Sequence, residues 1–171
     1  MTLIVEDGTG VEGAQTYSSV AFADSYFTVR GVSTWTGTQD QKEYALIAGT
    51  EYIDLRWRGE LNGKLLFPDT QWLLFPRSGV VDDQGRPVVG IPEILKRATA
   101  EYALISLTQT LMSNPSIDET GTVLLESTEV VGPITETKKY QAGFIRSKPY
   151  PKADGYMLPL IRGAGSGGVY V

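Results

Sequence analysis

The chain contains no cysteine and no histidine. The first absence excludes thiolate catalysis, disulfides and every Cys-based zinc site. The second removes the commonest general base, the Ser-His-Asp triad and the usual transition-metal ligand. Carboxylates, Lys, Tyr and Ser are left for chemistry, and no spacing gathers several carboxylates at one place. The expectation is therefore a protein that is not an enzyme and holds no cofactor or metal. Long apolar runs are missing as well; none approaches the roughly 20 residues of a membrane span. The segment Met1 to Asp7 has no basic region and meets acid early, so it does not read as a signal peptide, and cytoplasmic synthesis is expected.

Basic charge is also scarce. Fifteen Lys and Arg face 20 Asp and Glu, a formal net charge of −5. The imbalance is local: residues 1–55 carry 8 acids against 2 bases, residues 56–112 carry 6 against 7, and residues 113–171 carry 6 of each. A duplex-DNA binder concentrates cations against phosphate, and this chain does not. Its 171 residues favour one domain, long enough to bury roughly 70% of the surface its unfolded form exposes without staples.

What is present reads as mainly α: a small helical bundle with an extended β-hairpin arm and a flexible C-terminal tail. The helical body with its lead-in spans 1–121, the arm 122–141, and a short helix with the tail 142–171. Within the lead-in, Asp7-Gly8-Thr9-Gly10 and Glu12-Gly13 are turns; the glycines lack the Lys-Ser/Thr and the strand-loop-helix setting of a phosphate loop. Ser19 is a good N-cap for a first helix carrying Val20, Phe22, Ala23, Tyr26 and Phe27, closed by Gly31. Thr38 with Gln41 makes a capping box for a second helix to about Arg56, burying Ala45, Ala48, Tyr52 and Leu55, with Leu46 and Ile53 on a neighbouring stripe. A third opens at Ile91-Pro92 and carries Ile94, Leu95, Ala98, Tyr102 and Ile105 to about Met112. A short helix is expected from Ala153 to Arg162, kinked or ended by Pro159.

Between the second and third helices lies Gln71 to Val80, an apolar connection around Pro76-Arg77-Ser78-Gly79. So much apolar surface should lie on the helices rather than in water. Trp72, Phe75, Pro76 and Arg77 are its candidate structural residues, with Arg77 bonding carbonyls or an acid to hold it. The Val-, Thr-, Glu- and Lys-rich stretch 122–141, broken by Gly132-Pro133, predicts a hairpin. A lone ribbon is marginal, so the arm either lies on its own helices or adds to a partner's strands. Val123, Leu125, Val131, Ile134 and Tyr140 are its candidate interface residues. Gly163 to Gly168 has linker composition and delivers Val169, Tyr170 and Val171, a second candidate interface.

Three further features bear on chemistry. Arg56-Trp57-Arg58 alternates base and aromatic, a pattern that stacks on single-stranded bases, and Trp35 and Trp72 could extend it. Against this, Trp57 closes a helix end and the arginines sit among Asp54 and Glu60. Asp82 and Asp83 resemble a metal pair, but Asp-Asp-Gln-Gly-Arg-Pro is turn composition first, without EF-hand spacing. Lys138-Lys139 is too short for a nucleic-acid patch.

The ordered set of segments resembles the head–tail connector (adaptor, neck) proteins of tailed bacteriophages, in the subgroup labelled DnaT-like single-stranded-DNA-binding proteins. The likeness rests on Tyr17-Ser18-Ser19-Val20 with Ala23 to Phe27 and Arg30-Gly31, on Ala45-Leu46-Ile47 with Thr50 to Asp54, on Gln71 to Val80, and on Ile91-Pro92 with Lys96-Arg97-Ala98 and Glu101. Phe75 stands where that group's loop has Trp before Pro-Arg. The resemblance implies a structural virion protein at the capsid–tail neck. It would form a homo-oligomeric ring, twelve-fold like the portal, joined to the portal protein and the next neck or tail-completion protein. Genomic double-stranded DNA would pass its channel without sequence-specific binding, and no membrane is involved. The second reading, from the subgroup's label, is a single-stranded-DNA-binding replication accessory using Arg56, Trp57 and Arg58.

Overall fold

A computed structural model describes residues 2–82, 84–112, 126–131, 134–139 and 148–161, with backbone alone over 126–131 and 134–139. The chain forms two compact units, Met1–Leu111 with Pro149–Val171, and Met112–Lys148. The architecture is mainly helical, as composition and periodicity predict.

In the first unit, α1 (Val20–Val29) starts where the Ser19 hydroxyl accepts the Phe22 N–H at 3.1 Å. It ends at Gly31, which takes the left-handed φ of 65°. Helix α2 (Gln39–Trp57) opens with the expected reciprocal pair: Gln41 N–H donates to Thr38 Oγ1 at 3.2 Å and Thr38 N–H to Gln41 Oε1 at 2.8 Å. Its buried face is turned from the one expected. Ala45, Leu46, Tyr52, Ile53 and Trp57 are buried, whereas Ala48 is half-buried and Leu55 is 63% exposed. The reason is Gly49. A Cβ there would stand 2.9 Å from the Thr99 carbonyl oxygen and 3.0 Å from the Ala103 nitrogen. The missing side chain lets α2 approach the third helix closely along that line, and Leu55 falls on the far side.

Helix α3 (Glu93–Ser106) follows Pro92 and buries Leu95, Ala98 and Tyr102. It stops short of Met112, and hydroxyl side chains share its last carbonyls with backbone amides. Ser106 Oγ donates to Ala103 O at 2.8 Å, and Thr108 Oγ1 to Ile105 O at 3.2 Å. Helix α4 (Pro151–Met157) begins earlier than expected, with Pro151 in its first turn, and passes into a 3-10 turn at Leu158–Leu160 that contains Pro159. Tyr52, Tyr102 and Tyr150 meet between these helices, with ring centroids 4.8–6.0 Å apart.

Two short strands, β1 (Lys64–Leu65) and β2 (Arg77–Ser78), pair antiparallel across the base of the apolar connection. They have no sequence signature at such length. Arg77 holds this base: Nε donates to Asn62 O at 2.5 Å and Nη2 to Gly63 O at 2.8 Å. Phe75 is buried against the edge of Tyr17, and the Phe75–Pro76 bond is cis. Leu61 bridges to Ile161, tying the end of α2 to the segment after α4.

The second unit contains β3 (Glu126–Val131) and β4 (Ile134–Lys139), antiparallel from Glu126↔Lys139 to Val131↔Ile134. The expected arm therefore exists as a hairpin. Val123, Leu125, Tyr140 and the tail residues Val169, Tyr170 and Val171 lie outside the described residues. Among the described residues no helix is long and apolar enough to cross a membrane.

Candidate nucleic-acid interface

The Arg56-Trp57-Arg58 triplet does not form a stacking platform. Trp57 is 4% exposed within the main core, and its indole N–H donates to the Tyr102 hydroxyl at 3.2 Å. The Tyr102 hydroxyl in turn donates to Asp154 Oδ1 at 2.5 Å. Arg56 lies over the same indole, its guanidinium carbon 4.3 Å from the ring centroid, and pairs with Glu60 at 2.8 Å. The ring at the centre of the expected contact is therefore unavailable to a base, and only exposed Arg58 remains outside. Trp35 is likewise buried, with its indole N–H donating to Asp24 Oδ1 at 2.7 Å.

Trp72 corrects the sequence reading in the other direction. It was expected to lie on the helices; it is 69% exposed, with Leu66 and Phe67 of the same connection also partly in solvent. The connection beneath is clamped by polar bonds rather than by the Trp72 ring. Tyr17 Oη donates to Asp54 Oδ1 at 2.5 Å and accepts the Phe75 N–H at 3.2 Å, while Leu74 N–H donates to Asp54 Oδ2 at 3.1 Å. Burial pushes the Asp54 carboxyl up to about 6, against the opposing pull of the Tyr17 and Leu74 bonds and of Arg58 and Arg77.

Two other sequence candidates are occupied by the chain itself. The glycine-rich lead-in wraps a carboxylate of its own: Glu6, 1% exposed, accepts the amides of Gly8, Gly10 and Val11 at 2.9–3.0 Å. Asp82 Oδ1 accepts the amides of Gln84 and Arg86 and its Oδ2 accepts Arg86 Nε, so it closes a turn; Asp83 lies outside the described residues. Among the described residues, no group of three or more Asp or Glu converges on a metal position.

An arginine–aromatic cleft occurs where sequence reasoning did not look: Phe22 is half-buried and Arg30 exposed, while the Tyr26 ring between them is buried, 5% exposed. Phe22, Tyr26 and Arg30 succeed one another at four-residue steps on α1, which places them on one helical face. The Phe22 and Tyr26 rings are stacked, 14° from parallel with centroids 6.2 Å apart, and the Arg30 guanidinium lies 3.7 Å from the Tyr26 centroid. Arg97 of α3 closes the opposite wall and pairs with Glu93 one turn earlier. Between the walls is a cleft of about 170 Å³. The Tyr26 hydroxyl faces inward, donating to Glu101 Oε1 at 2.6 Å, a carboxylate that Lys152 also holds at 2.6 Å. Burial and the Glu101 bond raise the Tyr26 phenol, so the ring is held neutral and in place. The four-residue ladder on α1 was a signal in the sequence; its meeting with Arg97 was not.

Fold and surface define a small, mainly helical protein with an open arginine–aromatic cleft. The chain belongs to the family described as "Putative DnaT-like ssDNA binding protein", whose model matches residues 1–171. No curated protein and no solved structure matches the chain. The family match corrects the leading functional expectation. The family is described by single-stranded-DNA binding, the reading placed second, and not by a connector ring. The portal, ring and channel partners inferred from the resemblance find no support in it.

Proposed function

We propose that this protein binds single-stranded DNA as a non-catalytic accessory. The observation that carries this reading is the family match over residues 1–171. The chemistry of the chain is compatible with it in a particular way. A net charge of −5 provides no long-range attraction for a polyanion, so binding has to be short-ranged, through a few arginines and aromatic faces. Aromatic stacking is open to unpaired bases and closed to bases already stacked in a duplex. Preference for single strands follows from that difference. The absence of histidine and cysteine from the sequence supports the non-catalytic part of the reading.

Fluorescence anisotropy of labelled oligo(dT), titrated with the full chain at several salt concentrations, tests the proposal. The expected result is saturable binding that weakens with salt and exceeds binding to a duplex of equal length. Equal affinity for the duplex, or a flat titration at low salt, overturns it.

A further inference from the structure

We infer that the α1–α3 cleft holds one nucleotide of a bound strand, with a base against the half-buried Phe22 ring and its phosphate between Arg30 and Arg97. The inference rests on the single-stranded-DNA reading and gives it a location that the family description does not.

Size, charge and the two guanidinium forks each point to this occupant. The cleft measures about 170 Å³. A cavity of roughly 150 Å³ takes one benzene ring, whereas pockets for drug-sized ligands run to roughly 300–1,000 Å³. One ring with its phosphate at the rim fits; a whole cofactor does not. Of the charged residues lining the cleft, Arg30 and Arg97 outnumber Glu93, so a single anionic group restores balance. A guanidinium carries five N–H donors in a planar fork suited to phosphate. Arg30 directs one of these to the Tyr26 carbonyl at 3.0 Å, and Arg97 directs one to Glu93. The Arg97 Nε is buried and has no hydrogen-bond partner among the described residues. That nitrogen is out of a ligand's reach as the side chain stands, so a phosphate would meet the outer nitrogens of the part-exposed Arg97 fork. Glu93 is no obstacle. Its side chain is 64% exposed, and solvated pairs of this kind hold weakly.

The α1 wall suits a base because its order is built in. Tyr26 is anchored from below by Glu101 and Tyr156, and Arg30 lies against its ring. A nucleobase meeting Phe22 on that ladder adds a further layer without reorganising the helix. Trp72 is the competing surface, more exposed but set on a connection that also carries Asp69.

The test uses the full chain and the same oligo(dT) titration with Arg30→Gln, Arg97→Gln, Phe22→Leu and, as the comparator, Trp72→Ala. Each cleft variant is expected to lose roughly tenfold in affinity. Because the two arginines share one phosphate, the arginine variants should reduce the slope of log affinity against log salt, by about 0.7 when both are replaced. Trp72→Ala should bind as the unaltered chain does. Thermal unfolding midpoints check that the variants are folded; if Phe22→Leu is not, the two arginine variants decide alone. Cleft variants that bind like the unaltered chain overturn the inference and leave the single-strand reading standing. A loss confined to Trp72→Ala moves the contact to the connection and also overturns it. No salt-sensitive binding by the unaltered chain overturns both.

Discussion

The end of α2 and the exposed face of α1 are built from the same residue types, and the fold uses them in opposite ways. At the end of α2, Arg56 lies on Trp57, the indole is buried, and its N–H is bonded to Tyr102. On α1, Arg30 likewise lies on a buried ring, Tyr26, but the half-buried Phe22 and the exposed arginine line a cleft. Arginine beside an aromatic ring is therefore no indicator of nucleic-acid contact by itself. What separates the two cases is whether a further ring and the guanidinium's remaining donors border a cleft.

Stability and binding should separate along the same line. The largest expected effect is that of Trp57→Ala, which removes a buried ring and leaves a cavity, a change that costs about 3–5 kcal/mol. Urea unfolding should show that loss, while oligo(dT) affinity, measured where the variant is folded, stays unchanged. A loss of affinity with little loss of stability would reverse the comparison and return the contact to α2.

The next effect comes from Asp54, one helical turn before Trp57. Its carboxyl stands at about 6 rather than the ordinary 3.8, chiefly because it is buried. Folding thus favours the protonated acid. Its contribution is fully present below about pH 4 and is lost as pH rises through 6, a change of roughly 3 kcal/mol. Unfolding midpoints measured from pH 4 to 7 should carry this decline, and Asp54→Asn should flatten it. An unchanged profile in the variant would mean that the carboxyl is not desolvated in solution.

Arg56→Gln should do least. Its pair with Glu60 is exposed and one turn apart, an arrangement worth at most about 1 kcal/mol. Neither the unfolding midpoint nor the oligonucleotide affinity should move much. Set beside Arg30→Gln, it is the sharpest form of the comparison, since both arginines cover an aromatic ring and only one borders the cleft.

Local signals survived into the structure where a short stretch of chain decides the outcome. Ser19 and the Thr38–Gln41 pair start helices as expected, Gly31 ends one, and Glu126–Val131 pairs antiparallel with Ile134–Lys139. Each depends on residues within a few positions of one another, so the pattern is written in the order of the chain. The face that α2 buries was not readable in this way. It depends on Gly49 meeting the α3 backbone, a contact between segments far apart in sequence.

The candidate site divides in the same manner. The sequence by itself determined the inventory: no thiol, no imidazole, few cations, and an aromatic–aromatic–arginine ladder at four-residue steps on α1. It contains two arginine–aromatic groupings, of which only Arg56-Trp57-Arg58 stood out in the order of the chain. Only the tertiary structure decided between them. It buried Trp57 beneath Tyr102, left Trp72 in solvent, filled the glycine-rich lead-in with Glu6, and set Arg97 opposite Arg30. The physical reason is that exposure and the unused donors of a side chain are properties of its neighbours in space, and most of those neighbours are distant along the chain.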